Sequence, residues 1–228
     1  MKNKNKYPSD LTDQEWEEIR PLFKGMRRRI WSKRELTNAV FYLQKTGCQW
    51  RQLPNDFPPY PTVWSFYRRA CISGLWDAIL QHLVKRTREK AKRSLMPTYG
   101  IIDSQTVKTA GKGEAHGIDG GKKIKGRKHR IVVDIMGNLL AVYVHSANLH
   151  DTVMGIMPAI TACSLYPSIQ KFCGEQGYRK TFEEDAASFL GIEVEISEKI
   201  TPNKFHILPK RWVVERTLSW LNNSRRLR

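Results

Sequence analysis

The sequence predicts an α/β fold in two parts: an all-helical, helix-turn-helix-like segment over residues 1–96, then a mixed-sheet domain over residues 97–228. Two observations carry this division. Up to about Arg93 the apolar residues recur at helical spacing, with capping residues ahead of each run. Beyond Pro97 the pattern changes to short apolar extended runs separated by turn residues. A third observation sets a limit: no stretch approaches the roughly 20 apolar residues that a membrane-spanning helix needs.

The helices follow from local chemistry. Thr12-Asp13-Gln14-Glu15 is a capping box that opens a helix through Leu22, with Pro21 limiting its regular extension. A second helix runs from about Ser32 to Thr46 and stops at Gly47. The proline-rich stretch Leu53–Pro61 is expected to be non-helical, so Thr62 caps a third helix from Val63 to about Ile72, ending at Gly74. A fourth runs from Leu75 to about Arg93. In the second part, strands are expected at Thr98–Ile102, His129–Ile135 and Leu139–His145, the last two joined by a turn at Met136-Gly137-Asn138. Helical patterns follow, interrupted by short strands near Ile169–Gly174 and Ile192–Ile196.

Charge narrows the partner. With 39 Lys+Arg against 22 Asp+Glu, the chain carries a formal charge of +17 and a pI near 9.9. That balance calls for a polyanion, nucleic acid first and a membrane surface second. The start Met1–Lys6 has no apolar signal core, so a cytoplasmic protein is expected. Cys48, Cys71, Cys163 and Cys173 are scattered without Cys-x-x-Cys or zinc spacing, and read as reduced, buried thiols.

Two carboxylates stand out. Asp103 closes the apolar run Tyr99–Ile102 and is expected at the end of a buried strand, whereas Glu215 lies where Trp212, Leu218 and Leu221 recur at helical spacing. A strand acid and a helix acid can converge, and in so basic a chain that suggests magnesium beside a phosphate backbone. His150, Asp151 and Ser146 lack the Gly-x-Ser-x-Gly turn that a hydrolase triad of this kind would use.

Two basic elements are candidate nucleic-acid contacts. Lys122, Lys123, Lys125, Arg127, Lys128 and Arg130 are expected in a connection between the Asp103 strand and the next. So dense a run of like charge repels itself unless a polyanion screens it; a solvated loop face is the alternative. In the third helix, Arg68 and Arg69 either enter a DNA groove or form a solvated face over a core of Trp64, Phe66 and Tyr67. Trp16, Trp31, Trp50 and Trp76 are assigned to packing.

Six segments in this order resemble one family across nearly the whole chain. They are Tyr7–Trp16, Gly47–Pro54, Ile102–Lys108, Gly121–Lys128, Ala147–Asp151 and Arg211–Thr217. Their combination is similar to bacterial insertion-sequence transposases of the DDE type. The resemblance implies a ribonuclease-H-like mixed sheet with flanking helices, after a helical domain that recognises the element's ends. It also implies three carboxylates holding two magnesium ions, with manganese as a substitute. The implied reaction is phosphodiester hydrolysis at the ends of double-stranded DNA followed by strand transfer. A homodimer assembled on DNA and a cytoplasmic, nucleoid-associated location go with it. By position, Asp103 would bridge the metals, Glu215 would bind one of them, and Arg211 would contact phosphate.

The sequence also departs from the family pattern. The second family aspartate sits in Ala-Asp-x-Gly-Tyr-Arg, where this chain has Cys173-Gly174-Glu175-Gln176-Gly177-Tyr178-Arg179. Glu175 is therefore assigned the middle ligand position, with Asp151 as the alternative. The family's Tyr and Lys around the glutamate are replaced here by Leu208 and Asn222, and the chain stops at Arg228, which is read as a shortened carboxyl end. Two competing functions follow: a catalytically inactive, truncated transposase-derived DNA-binding protein, and a general nuclease.

Overall fold

The computed structural model describes residues 7–26, 30–109, 116–149, 151–197 and 211–227. The described residues within Met1–Leu83 and Leu221–Arg228 form one compact unit, and those within Val84–Trp220 form another. The expected division after residue 96 had placed residues 221–227 in the second part.

In the first unit, α1 (Asp13–Ile19) opens with the predicted capping box: Glu15 N–H donates to Thr12 Oγ1, and the Glu15 carboxylate accepts from Thr12 N–H. A 3₁₀ turn at Arg20–Phe23 extends it, with Pro21 in its first turn. Helix α2 (Lys33–Thr46) has a second capping box, Ser32 with Glu35, and ends on left-handed Gly47. Helix α3 (Tyr60–Ile72) begins two residues before the expected Thr62 cap. Pro61 lies in its first turn, where a missing N–H costs nothing, so proline there starts the helix instead of preventing it. Helix α4 spans Leu75–Lys90.

The core of this unit is built at helical spacing, from Leu36, Ala39, Val40 and Leu43 of α2 and Val63, Phe66 and Ala70 of α3. Trp16, Trp31, Trp50 and Trp76 pack against it, as assigned. The residues after Trp220 close on α2: Arg225 N–H donates to Lys45 O and Arg226 N–H to Gln44 O, satisfying carbonyls that a helix end leaves without partners.

The second unit is a six-stranded mixed sheet made of β1 (Tyr99–Lys108), β2 (Gly117–Asp119), β3 (Ile124–Val133), β4 (Leu139–Ser146), β5 (Lys171–Gly174) and β6 (Glu193–Ile196). β3 pairs antiparallel with β1, β2 and β4, while β1–β5 and β5–β6 pair parallel. An antiparallel meander extended on one side by two parallel strands is the expected ribonuclease-H-like mixed sheet. Its helices include α5 (Asp151–Met154), α6 (Ile156–Leu165), α7 (Thr181–Asp185) and α8 (Arg211–Leu221), whose last residue falls in the first unit. Two strands are longer than the sequence suggested. β1 runs on to Lys108, and β3 starts at Ile124, because polar and basic residues continue the ladder past the apolar stretch. The four cysteines are free thiols, but among them Cys173 alone is buried and Cys71 is exposed, which corrects the expectation of four buried thiols.

The β3–β4 turn rests on one carboxylate. Asp134 accepts hydrogen bonds from the N–H groups of Met136 and Asn138 and from the Asn138 side chain. Gly137 sits between them at φ +86°, and a Cβ there would meet Arg216 Nη2 at 2.8 Å. Arg88, in the last turn of α4, donates to Asp134 Oδ2 at 2.6 Å and to Ser94 O. These side chains are 6% and 1% exposed, so removing the guanidinium strands a buried charge. Arg88→Ala should lower unfolding stability by about 3–5 kcal/mol in urea titration. A loss below about 1 kcal/mol, the range of surface pairs, would show that the pair is not load-sharing in the fold.

Candidate active site

The sheet register sets two acids side by side. Parallel pairing of β1 with β5 ends at Ile101 opposite Cys173. Two residues further along each chain stand Asp103 and Glu175, and a two-residue step returns the side chain to the same face. Asp103 therefore marks the point where β1 loses its parallel neighbour and continues only against β3, opposite Ile131. It is not the strand's last residue, as the sequence had suggested. Its carboxylate is 8% exposed, and Oδ1 accepts the Ser104 N–H at 2.7 Å.

Helix α8 supplies the third acid. It buries Val213, Val214, Thr217 and Leu218, with Thr217 Oγ1 donating to Gly137 O. Arg211 and Glu215 lie one turn apart. Arg211 Nη2 is 3.1 Å from Glu175 Oε2, and its Nε is 2.9 Å from Glu215 Oε1. That Nε has no properly aligned hydrogen-bond partner, so the second approach is a charge contact. Arg211 thus bridges two glutamates, and all three of these side chains are part-exposed. Asp103, Glu175 and Arg211 line one recess with Cys173, Ser197 and Val214, of about 10 Å³, room for roughly one water.

Burial pushes the Asp103 carboxyl up to about 7. The Ser104 N–H pulls it down, Glu175 pushes it up, Arg211 lowers it and Glu215 raises it. Asp103 therefore shares a field with the other three predicted catalytic residues, and the structure brings all four together. Among the described residues no three acids, histidines or cysteines are drawn close enough to form a ligand cage for a metal ion. The donor set nevertheless fits a hard divalent ion. It offers carboxylate oxygens short of positive charge, two of them held by a part-exposed arginine whose pairing is worth only about 0–1 kcal/mol and can be displaced. Asp151 starts α5, and its side chain lies outside the described residues, as does Leu208.

The basic candidates divide by strand alternation. Lys122 and Lys123 occupy the exposed turn before β3. From Ile124 onward the segment is strand, not loop, and its even positions turn inward. Lys128 is buried, 3.5 Å from Asp119, and Arg130 is fully buried, donating to His145 Nε2 and to the Tyr178 hydroxyl. As placed, neither faces phosphate, which corrects their assignment as DNA contacts. Lys125 is exposed, and Arg127 is half-buried on the opposite face. His129 shares that face; burial and the Arg127 charge lower its pKa. In α3, Phe66 is core, but Trp64 and Tyr67 are exposed beside Arg68 and Arg69; the Arg68 guanidinium lies 5.5 Å from the Trp64 ring centroid.

Residues 95–228 match the family model described as "Transposase DDE domain". The chain belongs to that transposase family. Residues 11–80 match a second model, "Putative transposase of IS4/5 family". A curated relative, "Putative transposase for insertion sequence element IS402" of Burkholderia cepacia, is 35% identical over 114 residues, covering 45% of this chain and 52% of the relative. The match thus spans about half the length of that relative. Among solved structures, the catalytic core domain of BIV integrase overlaps 54% of this chain and 64% of its own, at 12% identity and a TM-score of 0.33. No helix among the described residues of this transposase-family chain is long and apolar enough to cross a membrane.

The raised Asp103 pKa has a sign. Its folded value lies above the unfolded value of about 3.9, so the ionised form costs stability, a cost that grows as pH rises from about 4 to 7 and then levels off. In chelator, Asp103→Asn should be more stable than the parent at pH 8, by up to roughly 4 kcal/mol at 1.36 kcal/mol per unit, and equal to it below pH 4. A pH-independent difference would contradict the desolvated carboxylate.

Proposed function

We propose that this protein is a DNA transposase that cuts phosphodiester bonds at insertion-sequence ends and joins the freed 3′ hydroxyl to target DNA. The observation that carries the reading is the convergence of Asp103, Glu175 and Glu215 around Arg211, in a chain of net charge +17. Asp103, Glu175 and Glu215 would hold the magnesium ions. Bound there, the ions would lower the pKa of the attacking water or hydroxyl and stabilise the leaving oxygen. The chain's own groups do the rest. Asp103, sunk in its recess, fixes the site against the sheet. Glu215 is carried on a helix locked by its buried valines. Arg211, beside Glu175 and Glu215, would donate its guanidinium N–H groups to a phosphate oxygen. The helical unit, with Arg68 and Arg69 exposed on α3, would recognise the ends of the element.

A second reading has one observation behind it. Glu175 stands where the family pattern has aspartate, and its extra methylene moves the carboxylate by about 1.5 Å, one bond length. A misplacement of about 1 Å can cost on the order of a hundredfold in rate, so an inactive DNA-binding protein is the competitor. Strand cleavage of duplexes carrying the element's terminal repeats, in magnesium, decides between them. Asp103→Asn and Glu215→Gln should abolish cleavage and leave DNA affinity unchanged. Glu175→Asp should raise cleavage about ten- to a hundredfold. Lower activity in Glu175→Asp would mean the longer acid is adapted to this site, and cleavage surviving Asp103→Asn would remove the proposed catalytic role.

A further inference from the structure

Helix α8 meets the rest of its unit through more than its buried valines, because the β3–β4 turn presents two carbonyls to it. Asp134 Oδ1 accepts the N–H groups of Met136 and Asn138, and Asp134 O accepts the Gly137 N–H. In a trans peptide the C=O points opposite to the N–H. Drawing the Gly137 and Asn138 N–H groups toward Asp134 therefore turns the Met136 and Gly137 carbonyls the other way. Both are taken by α8: Arg216 Nη2 donates to Met136 O at 2.8 Å, and Thr217 Oγ1 donates to Gly137 O at 3.0 Å. The single Thr217 hydroxyl proton is shared with Val213 O of its own helix. A Cβ on Gly137 would stand 3.0 Å from Thr217 Oγ1 and 3.4 Å from Val213 Cγ1, so the helix lies against bare backbone there. The Arg216 guanidinium is steadied along its own helix, 4.5 Å from the Trp212 ring centroid and 4.7 Å from that of Trp220.

We propose that Thr217 and Arg216 are positioning residues for Glu215, keying α8 to the turn at the rotation where Glu215 joins Asp103 and Glu175. The proposal rests on the reading of Glu215 as a metal ligand and adds what sets its place. Glu215 lies one residue from Arg216 and two from Thr217, within about 3 Å along the helix axis. A helix with its side chains is about 10–12 Å across, so a turn of roughly 10° about its axis carries a side-chain tip by about 1 Å. An error of about 1 Å can cost on the order of a hundredfold in rate. The buried valines hold the helix down, but apolar burial has no direction. Hydrogen bonds do have one, and two of them on adjacent carbonyls fix the rotation.

The test is the Mn²⁺ affinity of the full chain, measured where circular dichroism shows each variant folded. Thr217→Val keeps the side-chain volume and removes the hydroxyl, whereas Thr217→Ser keeps the hydroxyl and removes the methyl. Affinity should fall about tenfold in Thr217→Val, the lower end of what loosening the groups behind a metal ligand costs, and stay near the parent's in Thr217→Ser. Equal losses in both, the reverse order, or parental affinity in Thr217→Val would overturn the proposal. Thr161→Val removes a comparable hydroxyl bond, to Met157 O within α6, and should change nothing; an equal loss there would overturn it too. Arg216→Met covers the case in which Thr217→Val does not fold. Losing a positive charge by itself favours a bound cation, so weaker Mn²⁺ binding in Arg216→Met supports a displaced helix, and unchanged or tighter binding overturns it. If the parent binds no Mn²⁺, the metal reading of the acids fails separately. Metal-free crystal structures of the parent and Arg216→Met then decide the positioning: Glu215 moved by about 1 Å or more relative to Asp103 supports it, and a smaller movement overturns it.

Discussion

Strand alternation on β1 and β3 is the constraint from which the rest follows. Because side chains on a strand return to one face every second residue, the single register Ile101 opposite Cys173 commits Asp103 and Glu175 to the same side. The same rule applied to β3 sends Lys125, Arg127 and His129 outward with Asp103. It sends Lys128 and Arg130 inward, to Asp119, His145 and Tyr178. A slip of one residue would bury the outward cations and turn Asp103 away from Glu175.

Electrostatics adds a second layer. A desolvated Asp103 beside two glutamates is costly, and Arg211 offsets part of that cost by standing between Glu175 and Glu215. The site is thus neither empty of positive charge nor closed to it. A part-exposed guanidinium stands between the two glutamates. Asp119 is the contrasting case. Burial works against its charge, but hydrogen bonds from Thr106 Oγ1 and from the Lys122 and Gly121 N–H groups, with the Lys128 ammonium, bring its pKa to about 2. That carboxylate ties β2 to β1 and β3, whereas burial dominates at Asp103, which accepts the Ser104 N–H.

The legible part of the fold was the part with local signals. The capping box at Thr12, the helix start at Ser32, the Gly47 stop and the turn at Gly137 are short-range chemistry, and each stands where it was read. Asp103 and Glu215 were legible as lone acids in apolar or basic contexts, while Glu175 and Arg211 came through family resemblance. What escaped depended on long-range pairing. The run from Ile124 to Lys128 looks like a loop by composition, because lysine, arginine and glycine are poor strand formers. It is a strand because β1, β2 and β4 pair with it. Similarly, Pro61 looked like a barrier to helix, yet its position in the first turn made it compatible with one.

Manganese binding measures the central claim most directly, because it reads the acid site without requiring DNA or turnover. Titrating the protein with Mn²⁺ and following the free-ion spin signal should show depletion by the parent chain, and little depletion at the same concentrations by Asp103→Asn or Glu215→Gln. Equal depletion by the parent and both variants would contradict a metal site built on the acids that the sheet register and α8 bring together.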